Sequence, residues 1–288
     1  MMQKITPFLW FDDQAEEAIN FYVSIFKHSK MVNANRDPDG KLFTATFQLE
    51  DLEISALNGG PEFSFTPAVS FFVTCNTEAE VDELWQKLSE GSRVLMPLDI
   101  YSFSEKFGWL EDKYGLSWQL NRGSSSQKIM PFFMYVGDHG QAEEAMKLYT
   151  SLFADSRILN IERFGEGEGG VVGAVKQATF VLNSQQFMAI DGGAGHAFTF
   201  TEANSFFVNC ESQAEVDELW QKFTAEGEES MCGWLKDKFG VSWQIVPSAL
   251  MEMLGDEDPE KAKRVMDAML QMHKIDIQKL EEARDQNN

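Results

Sequence analysis

The sequence predicts an α+β protein that carries one domain twice, each copy assembled from a pair of βαβββ modules forming a curved mixed sheet, followed by a C-terminal helix. Three observations predict it. An internal repeat runs along almost the whole chain, the hydrophobic period alternates between strand and helix within each copy, and the character of the sequence changes after Pro247.

Residues 70–88 set against 205–223 give 14 identities in 19 positions. Residues 14–18 match 141–145 upstream, and 112–119 match 237–244 downstream, in the same order. The copies are therefore read as residues 1–123 and 128–250, with the tail helix over 256–286.

Taken in order, the first helix of a copy shows in Ala18, Phe21, Tyr22, Ile25 and Phe26, which recur at helical spacing, and Asp13 with Glu16 has the spacing of a capping box. The runs over 42–49, 53–57 and 67–74 are short, rich in Phe, Val, Ile and Thr, and bounded by Asp-Gly, Asn-Gly-Gly and Pro, as strands are. The second helix carries Val81, Leu84, Trp85 and Leu88 as its stripe. It is opened by Thr77 with Glu80, or Ser212 with Glu215 in the second copy, and closed by Gly91 or Gly227. In the tail, Asp258 suits a cap, Pro259 the first helical position, and Ala262, Val265, Met266, Met269, Leu270 and Ile277 an apolar stripe, so one long helix packed against the halves or another subunit is expected.

Composition narrows the function. With 24 Lys+Arg against 46 Asp+Glu the formal net charge is -22, which repels phosphate backbones and anionic headgroups, so neither nucleic acid nor membrane is an expected partner. No run approaches the roughly 18 apolar residues of a membrane span, and the first residues lack a signal-peptide core, which places the chain in the cytoplasm. Cys75, Cys210 and Cys232 show no CxxC spacing and fit a reducing compartment. The first two end apolar runs, where a small buried residue is expected. His28, His139, His196 and His273 are scattered and read as surface residues, and Glu16-Glu17 and Glu143-Glu144 read as favourable charge at helix starts.

The block Pro7-Phe8-Leu9-Trp10-Phe11 followed by Ala15-Glu16-Glu17-Ala18 and Phe21-Tyr22, the Asn58-Gly59-Gly60 turn, and Gly-Trp-Leu with Asp-Lys-[Tyr/Phe]-Gly-x-Ser-Trp-Gln together resemble the PhnB-like branch of the vicinal oxygen chelate superfamily, the glyoxalase/bleomycin-resistance fold, in tandem form. Part of that branch carries the label 3-demethylubiquinone-9 3-methyltransferase. The resemblance implies a concave sheet face on which metal-dependent members place His, Glu or Gln at four inner-strand positions. Those positions fall near Phe8, Asn58, Ser70 and Gln119 in the first copy, and near Phe132, Asp191, Ser205 and Gln244 in the second. None is a histidine and only Asp191 is a carboxylate, a poor donor set for a catalytic ion, so no metal or other cofactor is expected. A methyl-donor site of the usual kind needs a Gly-rich strand-to-helix turn in a parallel sheet, and no such turn is visible.

What remains is an apolar hollow for a small organic molecule. Trp109, Trp118, Trp234 and Trp243 are the expected wall, Asn58, Asp191, Gln119 and Gln244 the polar points, Tyr101 part of the first copy's lid, and Cys232 a rim residue of the second. Neighbours on a strand point to opposite faces, so only one of Trp118 and Gln119 faces inward. The offset between copies falls from 135 at Ser70 to 125 at Asp112, so the second copy lacks ten residues in this lid and the two sites are expected to differ. Whether the chain is an enzyme is left open. The rivals are a metal-dependent lyase, isomerase or dioxygenase, the methyltransferase of the family label, and a structural or partner-binding protein. The halves are expected to pair as an intrachain pseudo-dimer, with a homodimer through the tail also open.

Overall fold

A computed structural model describes residues 3–137 and 140–286; His139 lies outside the described residues. The chain divides into two compact units, Pro7–Asn204 and Met1–Thr6 with Ser205–Asn288.

The larger unit holds three βαβββ modules. The first is β1 (Ile5–Phe11), α1 (Ala15–Ile25), β2 (Lys30–Arg36), β3 (Leu42–Leu49) and β4 (Leu52–Asn58). The second is β5 (Val69–Cys75), α2 (Glu78–Leu88), β6 (Arg93–Tyr101), β7 (Ser104–Glu111) and β8 (Ser117–Arg122). The third is β9 (Ile129–Val136), α3 (Ala142–Leu152), β10 (Arg157–Arg163), β11 (Val175–Leu182) and β12 (Gln185–Gly193). The smaller unit holds the fourth, β13 (Asn204–Cys210), α4 (Gln213–Thr224), β14 (Glu228–Glu229), β15 (Trp234–Lys236) and β16 (Ser242–Pro247), followed by α5 (Ser248–Leu254), α6 (Pro259–Met269) and α7 (Ile277–Asp285).

Every module repeats one pairing rule: its first strand runs parallel to its last, as in β1 with β4, β5 with β8, β9 with β12 and β13 with β16. Two modules then join edge to edge through antiparallel β5 and β9, giving a mixed eight-stranded sheet in the order β10-β11-β12-β9-β5-β8-β7-β6. Each copy was expected to form a sheet from its own two modules; the mixed eight-stranded sheet instead joins the second module of the first copy to the first module of the second. The short link 123–128 between β8 and β9 keeps the new strand close to β5.

Strand alternation divides the side chains into two layers. On the helix side, Phe71 and Trp118 pack with Tyr22, Phe26, Leu84 and Leu88 from α1 and α2. Trp118 is fully buried, with ring centroids 5.3 Å from each of Tyr22, Phe26 and Phe71. Asp112 holds this layer to the following turn: its Oδ2 accepts from the Tyr22 hydroxyl at 2.7 Å and from Trp118 Nε1 at 2.9 Å, and its Oδ1 from the Tyr114 and Leu116 amides. Burial pushes the Asp112 carboxyl up, even though these donors favour its charged form. Gly115 closes the turn at φ +85°, a conformation that costs glycine little.

Capping follows the sequence at α2 and α4 but not at α1. Thr77 accepts from the Glu80 amide at 3.2 Å and Ser212 from the Glu215 amide at 3.3 Å, while each Glu reaches back to the amide just before its cap residue. Replacing Thr77 with alanine is expected to cost about 1 kcal/mol of stability, read as a lower urea midpoint. At α1 the N-cap is Gln14 and makes no side-chain cap bond. The Asp13–Glu16 box does not form, because Asn58 Oδ1 takes the Ala15 amide instead, at 2.8 Å.

The tail is three helices where one was expected. Gly255 follows α5, Asp258 caps α6 with Pro259 in its first turn, and Asp276 starts α7 by accepting from the Lys279 amide. Between α6 and α7 the chain is drawn out of helix by Gln213, whose amide donates to the Ile275 carbonyl at 3.1 Å and accepts from the Ile277 N–H at 2.8 Å. No helix among the described residues is long and apolar enough to cross a membrane.

Lys128, just before β9, ties modules together by ion pairs to Glu80 and, at 3.1 Å, to Glu50. Burial alone would raise the Glu80 carboxyl, but the hydrogen bond and charge of Lys128 outweigh it and hold Glu80 below its ordinary value. Burial would likewise lower Lys128, and its two carboxylates raise it instead. A depressed carboxyl stabilises above its unfolded pKa, about 4.3, and that contribution is lost as pH falls through the folded value. A raised lysine stabilises below about 10.4, and its contribution is lost as pH climbs through the folded value. Lys128→Met is therefore expected to lower the urea midpoint at pH 7 and to differ less from the parent at pH 3. An unchanged difference at the two pH values would contradict the assignment.

Candidate functional site

The face of the β10 to β6 sheet opposite the helices is the one that could receive a molecule. Register sets its pattern. Ser70 lies opposite Phe132 on one side and Ser117 on the other, Met188 opposite Phe132, and Trp109 opposite Gln119. Phe107, Trp109, Met130, Phe132, Met134 and Met188 form one buried cluster here, with Phe72, Met96, Tyr101 and Phe198 packed against it. Phe72 stacks on Phe132 with centroids 6.2 Å apart. Tyr101 stacks on Phe103 at 5.4 Å and meets Phe107 edge-on, while its hydroxyl donates to the Pro97 carbonyl.

Two polar pairs sit in this layer. Trp109 Nε1 donates to Ser117 Oγ at 2.8 Å, and Gln119 Nε2 donates to Ser70 Oγ at 2.7 Å. Gln119 Oε1 accepts no hydrogen bond from any described residue. The layer is otherwise closed by its own side chains: Trp109 is 8% and Phe132 6% exposed. The smaller unit repeats the pair, with Gln244 Nε2 donating to Ser205 Oγ at 2.9 Å and Trp234 opposite Gln244 in register.

The structure thus brings together Trp109, Gln119 and Tyr101 on one face of the larger unit, and Trp234 and Gln244 on the matching face of the smaller. It turns Trp118 and Trp243 away from these faces. Trp118 is helix-side core, and Trp243 stacks on Phe223 at 4.8 Å and donates to Asp237 Oδ2. Asn58 and Asp191 are also turned away, because the starts of α1 and α3 present amides that need acceptors. Asn58 accepts from Ala15 and donates to the Leu42 carbonyl at 2.9 Å. Asp191 accepts from the amides of Gln141, Ala142 and Val175 at 2.8 to 2.9 Å. Cys232 is half-buried at φ +60°, and burial pushes its thiol up, away from reactive thiolate.

Sequence reading placed Phe132 at an inner-strand position but missed Met130, Met134 and Met188 as lining. The alternation of Met130, Phe132 and Met134 along β9 was the available signal, hidden in a run apolar on both faces. A second concavity lies elsewhere, a charged cleft of about 170 Å³ between α1 and α2 lined by Lys27, Glu50, Glu80, Glu83, Lys87 and Lys128.

The profile of the 3-demethylubiquinone-9 3-methyltransferase family matches residues 3–121 and again residues 127–246. The chain belongs to that family. Within it, a PhnB protein from Bacillus cereus of solved structure is 46% identical, in an alignment covering 42% of this chain and 100% of that one at a TM-score of 0.41. Glyoxalase I from Zea mays is 12% identical, with 83% of this chain and 89% of that one covered at a TM-score of 0.55, a likeness of fold alone. No curated protein sequence matches.

The donors this face could offer a divalent ion can be read from its side chains. Around Ser70 they comprise a hydroxyl, the Gln119 amide, the Phe132 ring and the Met188 thioether, a set that does not suit a divalent ion. Among the described residues no three His, Cys, Asp or Glu side chains come together as a metal site.

Proposed function

We propose that this family member binds a small, largely apolar organic molecule on the inner face of the β10 to β6 sheet, without a metal ion of the superfamily type. One observation carries the reading: Gln119 donates its amide N–H₂ to Ser70, and no described residue donates to its carbonyl oxygen, which keeps a little solvent exposure within an aromatic and methionine layer. A ligand hydroxyl or N–H arriving at that oxygen would exchange water for a hydrogen bond inside the layer, a net gain of about 0.5–1.5 kcal/mol. Three methionines in the lining supply side chains that repack readily around a guest. The quinone named in the family's description, a planar ring, has the flat apolar character this lining suits. Among the described residues the polar groups of this layer are Gln119, the Ser70 and Ser117 hydroxyls that accept from Gln119 and Trp109, and the Tyr101 hydroxyl that donates to Pro97, so the proposal is binding, and no methyl-transfer step is derived. The sparse, unpaired cysteines favour the cytoplasm as the compartment.

A second reading has its own support. The burial of Trp109 and Phe132 suits a closed structural core that takes no ligand. Titration of tryptophan fluorescence with 2-naphthol, a planar ring with one hydroxyl, separates the two. Saturable binding by the full chain, weakened roughly tenfold or more in Gln119→Leu, is expected from the loss of a buried hydrogen bond. No uptake would favour the closed core, equal uptake by both proteins would contradict the role of Gln119, and saturable binding of S-adenosylmethionine would favour methyl transfer.

A further inference from the structure

The two copies differ most at one strand edge. In the first copy that edge is the β6–β7 hairpin, in which Met96 pairs with Trp109 and Asp99 with Phe107. The hairpin is fastened to α2 by Lys106, whose Nζ lies 2.6 Å from Asp82, and to β8 by the Ser104 hydroxyl, which donates to Asn121 at 2.7 Å. In the second copy the hairpin shrinks to two residues in β14 and three in β15.

The C-terminal segment fills the vacated position with the same contacts. The repeat places Asp217 of α4 where α2 has Asp82, and Asp217 is bound by Lys274 of the tail at 2.5 Å. Gly233 stands where the first copy has Gly108. The Cys232 and Gly233 amides donate to the Met272 and His273 carbonyls at 2.7 Å each, so an irregular stretch of the tail is bonded at the position where the first copy has the β6–β7 pairing. Gly233 sits at φ +83°, and a Cβ there would come 2.9 Å from the Ile245 carbonyl oxygen and 3.2 Å from Ile275 Cγ1, so glycine serves both the approach to β16 and that of the tail. Ile275 is fully buried in a cluster with Val246, Leu250 and Val265, against which Phe207 packs. Phe207 and Val246 lie two residues along their strands from Ser205 and Gln244, and therefore on the same face.

We propose that residues 270–277 are an intrachain strap that lies along the edge where the hairpin is shortened and controls access to the Ser205–Gln244 face of the second copy. In the first copy the cover is part of the sheet itself, β6 pairing along β7. Among the described residues the strap is held by two backbone bonds to Cys232 and Gly233, by Gln213 and the Lys274–Asp217 pair on α4, and by Ile275 with Met272 packed beside it, and it lifts as a local opening while the sheet stays folded.

Cys232 lies under the strap and reports on it, whether or not the face holds a ligand. Cys75 and Cys210 are fully buried and report on the fold. In the full chain, Ile275→Asp is expected to raise the rate of Cys232 labelling by an aromatic disulfide roughly tenfold or more, with the other two thiols still protected. Labelling of Cys232 at the parent rate while Cys75 and Cys210 stay protected would overturn the strap. If all three thiols label together in that variant, the charge pair decides. Asp217→Lys is expected to speed Cys232 labelling about twofold or more, reversal in Asp217→Lys with Lys274→Asp to restore the parent rate, and Asp82→Lys in the first copy to leave it unchanged. A parent-like rate in Asp217→Lys, or no restoration in the reversed pair, would overturn the proposal equally.

Discussion

Replacing Asp191 with alanine is expected to lower stability by about 3–5 kcal/mol, the loss coming from three backbone N–H donors left without an acceptor. The carboxylate gathers the amides of Gln141 and Ala142 at the start of α3 and the amide of Val175 at the start of β11, so one side chain joins a helix, a strand and the loop between them. The fit is close. A Cβ added at Gly140 would lie 2.8 Å from Asp191 Oδ2. Asn58 does the corresponding work at α1 with one amide and one carbonyl, so Asn58→Ala is expected to cost less, about 2 kcal/mol. Urea unfolding followed by far-ultraviolet circular dichroism measures both. Were these residues ligand-binding points, the alanine variants would keep the parent midpoint and lose affinity for an added ligand.

Trp118→Ala is expected to cost about 3–5 kcal/mol, the range for emptying a buried aromatic site. The indole touches Tyr22, Phe26 and Phe71, and its N–H is one of the donors that stabilise the buried Asp112 carboxylate, so truncation both opens a cavity and removes a hydrogen bond. Trp118→Phe restores most of the volume and leaves only the Asp112 deficit. It is expected to recover more than half of the lost stability, read from the same unfolding curves. An effect of Trp118→Ala below about 1 kcal/mol would show that this layer relaxes around the gap.

The fold was legible because its signals are local and doubled. The matching stripes at Val81, Leu84 and Leu88 and at Val216, Leu219 and Phe223 each predict a helix, and both form with the caps their sequences provide. The site was legible only in part. Asp112-Lys113-Tyr114-Gly115 and Trp118-Gln119 mark a turn and a strand, but which of Trp118 and Gln119 faces the helices depends on register with β5, a long-range fact. Asn58 and Asp191 misled for a related reason. A lone polar residue at the end of an apolar strand looks the same in sequence whether it awaits a ligand or caps a helix more than 40 residues away. The tail's breaks were hidden because Gln213, which pulls Ile275 and Ile277 out of helix, is remote in the chain.

A crystal structure of the full chain soaked with 2-naphthol tests the binding reading most directly. The expected result is density for one ring on the inner face of the β10 to β6 sheet, its hydroxyl about 3 Å from Gln119 Oε1, with Met134 or Met188 in a new rotamer. Density only in the charged cleft between α1 and α2, or an inner face unchanged and empty at saturating ligand, would contradict it.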